Sequence, residues 1–193
     1  MKVFFNTSVR NVRFYKKNIR DIYRIIKNLG YKHVSDFIIK VDPKKFYEGS
    51  PKESESFYRK LVSGIKEADI CVFEISLDSA GVGYSVNLAL DSGKPVIVLH
   101  VPDRVPYLLQ MIRSHPKIQV LSYKASNLEE ILKSALETAK NRMDIRFTFF
   151  LTPKLIEYLD FVKRVKKTAR ATLLRRLIER EMRKDKEFFS KRK

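Results

Sequence analysis

The segment Asp69–Ile75 reads DICVFEI and is apolar almost throughout. A strand without polar alternation has both faces covered, which is how the central strands of a parallel sheet read. Pro95–Leu99 (PVIVL) has the same character. Parallel strands must be joined by crossovers, usually helices, so the chain between such segments has to supply helices. It does. Phe14–Leu29 places Tyr15, Ile19, Ile22, Tyr23, Ile26 and Leu29 at three- and four-residue spacings, and Gly30 ends this helix. Glu53–Glu67 turns Phe57, Leu61, Gly64 and Ile65 inward, and Tyr84–Asp91 and Asn127–Lys140 are helices as well. Further strands are expected at Lys2–Asn6, Val34–Val41 and, more weakly, Ile118–Leu121. The stretches Asp42–Pro51 and Ser76–Gly83 read as a loop and a turn. The economical fold is α/β: a doubly wound, five-stranded parallel sheet of Rossmann-like form over residues 1–140.

After Asn141–Asp144, a short polar connector, the pattern changes. Ile145–Leu151 (IRFTFFL) alternates with period two, as a half-buried strand does. Thr152-Pro153 reads as a cap followed by proline at the first helical position, and Lys154–Val165 and Arg170–Met182 are amphipathic helices. A small strand–helix–helix unit is therefore expected over residues 141–193. The net charge is +18. Residues 141–193 contribute 17 Lys/Arg against 7 Asp/Glu, so over half the excess lies in the last quarter of the chain. Concentrated positive charge favours a polyanion such as DNA, or simply solubilises an exposed face. The N-terminus MKVFFNTSVR carries charge too early for a signal peptide, and no apolar run is long enough for a membrane span. Cys71 is the only cysteine and sits inside an apolar run, so it reads as a buried residue and the cytoplasm as the compartment. No cofactor and no metal site are indicated.

In doubly wound folds, ligands bind outside the carboxyl ends of the strands. Two loops there are chemically suggestive. Asn6-Thr7-Ser8-Val9-Arg10 offers hydroxyls, backbone N–H groups and a guanidinium just after the first strand, which suits a phosphate. Asp78-Ser79-Ala80-Gly81-Val82-Gly83-Tyr84-Ser85 offers two glycines before a helix. A phosphorylated small molecule, such as a nucleotide, is the expected ligand.

FFNTSVR, EADICVFEIS, SAGVGYS, SGKPVIVL and Met111-Ile112-Arg113 together resemble nucleoside 2-deoxyribosyltransferases, and most closely the 2′-deoxynucleoside 5′-phosphate N-hydrolases, over residues 2–138. The resemblance implies that fold and a site acting on the N-glycosidic bond. In that family a tyrosine on strand one, an aspartate on the second helix and a nucleophilic glutamate after G-x-G-Y do the chemistry. The matching positions here hold Phe4, Leu61 and Ser85. Glycosidic cleavage relies on a carboxylate at the oxocarbenium-like centre, and these residues supply none. None of the three histidines is placed by the motif to activate Ser85, and Glu74, read as structural or ribose-facing, and Asp78 are the nearest acids. The phosphate side carries over better: Ser8, Arg10, Ser79, Gly81 and Gly83 match, while the family's further phosphate-contacting serine, near Leu109, is absent.

Arg146-Phe147-Thr148-Phe149-Phe150-Leu151-Thr152-Pro153 and the two helices after it resemble a ribbon-helix-helix DNA-binding unit. That resemblance implies a homodimer or higher assembly whose paired strands point Arg146, Thr148 and Phe150 at DNA, with Arg170 and Arg175 at the phosphates. Lys167 stands where such units carry glycine. Three readings follow as expectations. The first is a catalytically impaired nucleotide-binding domain, a pseudoenzyme, fused to a DNA-binding tail as a ligand-responsive transcriptional regulator. The second is a deoxyribosyltransferase or deoxynucleotide N-glycosidase with relocated catalytic residues. An oligomeric scaffold is the third and plainest reading.

Overall fold

The computed structural model describes residues 1–102, 115–143 and 149–190. The chain divides into two compact units, Met1–Ile145 and Arg146–Lys193. In the first, β1 (Lys2–Thr7), β2 (Lys32–His33), β3 (Ile70–Glu74), β4 (Val96–His100) and β5 (Ile118–Ser122) form one all-parallel sheet in the order β2-β1-β3-β4-β5. β3 is buried along its whole length, as its unbroken apolar run requires. Successive residues of each strand feed opposite layers. Val3, Phe5, Val72, Ile97 and Leu99 pack under α1 (Val9–Phe14), α2 (Lys16–Asn28) and α7 (Leu128–Asn141). Phe4, Cys71, Phe73, Val96 and Val98 pack under α5 (Pro51–Glu67) and α6 (Ala80–Asp91).

Several expected elements change. The helix expected over Phe14–Leu29 forms as α2, with Gly30 after it at φ +86°, a conformation that favours glycine, and a further short helix, α1, precedes it and ends at Phe14. The strand expected over Val34–Val41 does not form. β2 is only two residues long, and Phe37–Lys40 is a short helix, α3, with Asp36 at its N-cap. Ser35 Oγ accepts the Phe37 N–H at 3.1 Å, and an ion pair links Asp36 to Lys40 one turn on. These local polar contacts override the strand preference of Val34, Phe37, Ile38 and Ile39. Within the Asp42–Pro51 loop, Asp42 caps α4 (Pro43–Tyr47), with Pro43 at the first helical turn. α5 begins with a full capping box between Ser50 and Glu53. α6 starts at Ala80, so Gly81 and Gly83 belong to its first turn rather than to a free loop.

The second unit contains α8 (Pro153–Val165), α9 (Arg170–Lys184) and α10 (Lys186–Ser190). Leu159 and Val162 are its buried apolar side chains among the described residues. Lys167, between α8 and α9, adopts φ +50° at the position where the resembled units carry glycine. Thr168 donates to the Lys166 carbonyl at 3.1 Å, and Ala169 is the N-cap of α9. Most of the strand expected at Ile145–Leu151 lies outside the described residues; Phe149–Leu151 is not in a strand. Among the described residues, no helix is long and apolar enough to cross a membrane.

Candidate functional site

β1 has β2 on one side and β3 on the other, so the chain reverses its winding direction between β1 and β3. That switch point opens a crevice at the carboxyl ends of these two strands. Ser8 leaves β1 and caps α1, its Oγ accepting the Asn11 N–H at 3.0 Å. Ser79 leaves β3 and caps α6, its Oγ accepting the Val82 N–H at 3.4 Å. Arg10 spans the gap by donating from Nη2 to the Asp78 carbonyl. The structure thus brings Ser8, Arg10 and Ser79 to the adjoining carboxyl ends of β1 and β3, with Ser79 at the N-cap of α6. Gly81 and Gly83 have ordinary backbone angles, and a Cβ built on Gly83 would meet nothing within 4 Å, on Gly81 only Ser79 Oγ at 3.9 Å. Both leave open space beside the first turn of α6.

Beneath the crevice lies a buried polar network. Glu74, at the end of β3, is fully buried. Its Oε1 accepts from the Ser76 hydroxyl, the Ser76 N–H (3.3 Å) and the Tyr123 hydroxyl (3.2 Å), and its Oε2 accepts from Asn11 Nδ2. Asn11 Nδ2 also donates to Thr7 Oγ1 at 2.7 Å, and Ser76 Oγ accepts the Val101 N–H at 2.9 Å. Burial pushes the Glu74 carboxyl above its ordinary value, although the surrounding donors pull the other way. The Tyr123 phenol is also raised, first by burial and then by the Glu74 charge. With all its oxygens engaged, Glu74 ties the carboxyl ends of β1, β3 and β4, and Tyr123 after β5, into one frame. It holds the loops that follow β1 and β3.

On the opposite face of the sheet, Phe4, Asn6, Phe37, Phe57, Lys60 and Leu61 are among the residues that line a cavity of about 40 Å³, room for about three waters. Phe37, Phe46 and Phe57 form an aromatic cluster on one side, with Phe37 and Phe57 centroids 4.7 Å apart. Phe4 and Leu61, which the resemblance matches to the family's tyrosine and aspartate, both line this cavity. Ser85 is buried in α6 and its hydroxyl donates to the Gly81 carbonyl at 2.8 Å, one turn back. Its neighbour Tyr84 is exposed and shares a 2.9 Å hydrogen bond with Tyr58 of α5. Asn11, Ser76, Tyr123, Phe37 and Lys60 were not singled out by sequence reading.

In the second unit, Phe150 is fully exposed and Arg175 is exposed, whereas Arg170 is tied to Asp160. Arg146 and Thr148 lie outside the described residues, as do Leu109 and Met111-Ile112-Arg113.

No family model matches the chain. A protein of Syntrophotalea carbinolica named as a 2′-deoxynucleoside 5′-phosphate N-hydrolase 1 is 31% identical over 138 residues, which span 70% of this chain and 94% of that protein. A protein of the same name from Thermofilum pendens is 31% identical over 117 residues, 58% of this chain and 77% of its own length. The 5-hydroxymethyl-dUMP N-hydrolase of Mus musculus is 28% identical over 142 residues, 70% of this chain and 79% of that protein. Among solved structures, a CMP N-glycosidase of Clostridium botulinum matches with a TM-score of 0.51 at 19% identity, covering 69% of this chain and 99% of the other. At that identity the likeness bears on the fold. These relatives overturn the expectation of a pseudoenzyme acting as a DNA-binding transcriptional regulator, because the proteins that resemble the first unit along most of their length are named as hydrolases.

Proposed function

Since the chain belongs to the 2′-deoxynucleoside 5′-phosphate N-hydrolase family, we propose that its first unit hydrolyses the N-glycosidic bond of a deoxynucleoside 5′-monophosphate, releasing the free base and a sugar 5-phosphate. The observation that carries this reading is the crevice at the β1/β3 switch point. Arg10 bridges it to the Asp78 carbonyl, and Ser8 and Ser79 stand on its two sides. Guanidinium, hydroxyls and the start of α6 together form an anion seat of the kind a 5′-phosphate fills.

The chemical route departs from the family's. Ser85 cannot replace a nucleophilic glutamate: its hydroxyl proton is committed to the Gly81 carbonyl, and no base is hydrogen-bonded to it among the described residues. Glu74 is enclosed by its own donors. Direct attack of water on an oxocarbenium-like sugar is the route these residues support.

The test is to incubate the full chain with each deoxynucleoside 5′-monophosphate and with the matching nucleosides, and to quantify free base and sugar phosphate by chromatography. Base release that requires the 5′-phosphate, and that Arg10→Gln weakens chiefly through a higher KM, is expected. No base released from any of the monophosphates would overturn the proposal.

A further inference from the structure

The positive surplus of the first unit is concentrated in one stretch. Residues 9–47 carry 11 Lys/Arg against 3 Asp/Glu, while the rest of residues 1–140 carries 12 of each. The three acids of the stretch are engaged locally: Asp21 pairs with Arg24, Asp36 pairs with Lys40, and Asp42 Oδ1 accepts the Lys44 N–H at 2.9 Å. An open groove of about 610 Å³ lies in this stretch, between α1 and α2 on one side and α3 and the start of α4 on the other. Its apolar lining includes the buried Ile19 and Ile38 and the half-buried Ile39 and Val41. Arg13, Lys16, Arg20 and Lys40 line it too, and Asp42 is the one acid among them. The side chains of Arg13, Lys16 and Arg20 stand in no ion pair or hydrogen bond among the described residues. None of Ser8, Arg10 and Ser79 lines this groove, so it is separate from the 5′-phosphate seat.

Cations gathered without acids repel one another, and an anion among them relieves that repulsion. Their combined field, more than any single contact, draws the ligand in. The groove's volume falls in the range of small-molecule sites, and its mix of apolar side chains and cations suits a body with little charge joined to a highly charged group. Three unpaired cations match linked phosphates better than the charge of about −2 on a single phosphate. We propose that this groove binds a nucleoside di- or triphosphate, its phosphates among Arg13, Lys16 and Arg20 and its nucleoside against Ile39 and Val41. The assignment is independent of the hydrolase reading.

The experiment is isothermal titration calorimetry of the full chain, in metal-free buffer, with dTTP, thymidine and inorganic tripolyphosphate. It compares the parent with Arg13→Gln/Arg20→Gln, with Arg10→Gln, and with Lys17→Gln/Lys27→Gln, which removes the same two charges from residues of α2 that do not line the groove. Glutamine is a good helix former and Arg13, Arg20, Lys17 and Lys27 are all exposed, so α1 and α2 are retained. The parent is expected to bind dTTP more tightly than thymidine or tripolyphosphate, and more weakly as salt is added. Arg13→Gln/Arg20→Gln should weaken dTTP by about 10-fold or more, because charge-assisted contacts are lost. Lys17→Gln/Lys27→Gln, which removes only screened surface charge, should change it by about 2-fold or less. A parent that binds no dTTP overturns the proposal. Equal losses in the two double variants overturn it as well, since the attraction would then be diffuse. If Arg10→Gln abolishes dTTP binding and Arg13→Gln/Arg20→Gln leaves it intact, the ligand sits in the 5′-phosphate seat and the groove assignment falls while the hydrolase reading stands. If tripolyphosphate binds as tightly as dTTP, the nucleoside part of the assignment falls.

Discussion

Gly64 of α5 lies directly over the ring of Phe4. A Cβ added there would sit 2.7 Å from Phe4 Cε2 and 2.8 Å from Cδ2. The ring cannot step aside freely, because it is buried and packs edge-on against Phe73 with centroids 6.3 Å apart. Gly64→Ala therefore has two opposed effects. Replacing a helical glycine gains about 1 kcal/mol of propensity, and forcing one methyl into a filled core costs about 1–3 kcal/mol. With both close contacts below 3 Å and both to a rigid ring, the upper part of that range applies. The net loss is about 1–2 kcal/mol, a fall of roughly 2–8 °C in Tm for a chain of this size. The chain has no tryptophan, so the assay is urea denaturation followed by far-UV circular dichroism. Phe4→Leu/Gly64→Ala should be more stable than the two single losses imply, because the smaller side chain removes the clash. A Gly64→Ala protein as stable as the parent would refute the claim that helix and sheet meet here without slack.

Other consequences are open to direct measurement. The raised Glu74 carboxyl keeps its proton to higher pH in the folded chain than in the unfolded one, whose reference is 4.5. Between those two values the folded state binds more protons, so stability falls as pH rises through the window and is constant below it. Urea midpoints from about pH 4 to about pH 8 should decline in the parent and lose that component of the slope in Glu74→Gln; identical slopes would contradict it. Cys71 is fully buried and its thiol is pushed up to about 12 by burial. A thiol reagent at neutral pH should leave the folded chain unmodified and label one cysteine on unfolding, and rapid labelling without denaturant would show the strand to be open.

The sheet was largely readable because its inner strands are buried on both faces, so DICVFEI and PVIVL announce themselves without neighbours. The segment after β2 was not. Val34, Phe37, Ile38 and Ile39 have strand-forming side chains, yet the Ser35 hydroxyl and the Asp36–Lys40 ion pair turn the backbone into α3, a choice made by contacts that composition does not weigh. The same division runs through the site. Ser8, Arg10 and Ser79 were visible because hydroxyls, a guanidinium and glycines after strands are local patterns. The Glu74 network was hidden because Asn11 and Tyr123 stand 63 and 49 residues from Glu74 along the chain. Phe37, Phe57 and Lys60 become neighbours of Phe4 only once α3 and α5 have folded over β1.

The brevity of β2 bears on how this molecule meets others of its kind. A sheet margin recruits a foreign strand by offering a row of free amide and carbonyl groups, and a two-residue rung carrying the exposed Lys32 offers almost none. Growth of the sheet past that border, whether into an ordered dimer or an amyloid-like stack, is blocked where a full-length outer strand would have invited it.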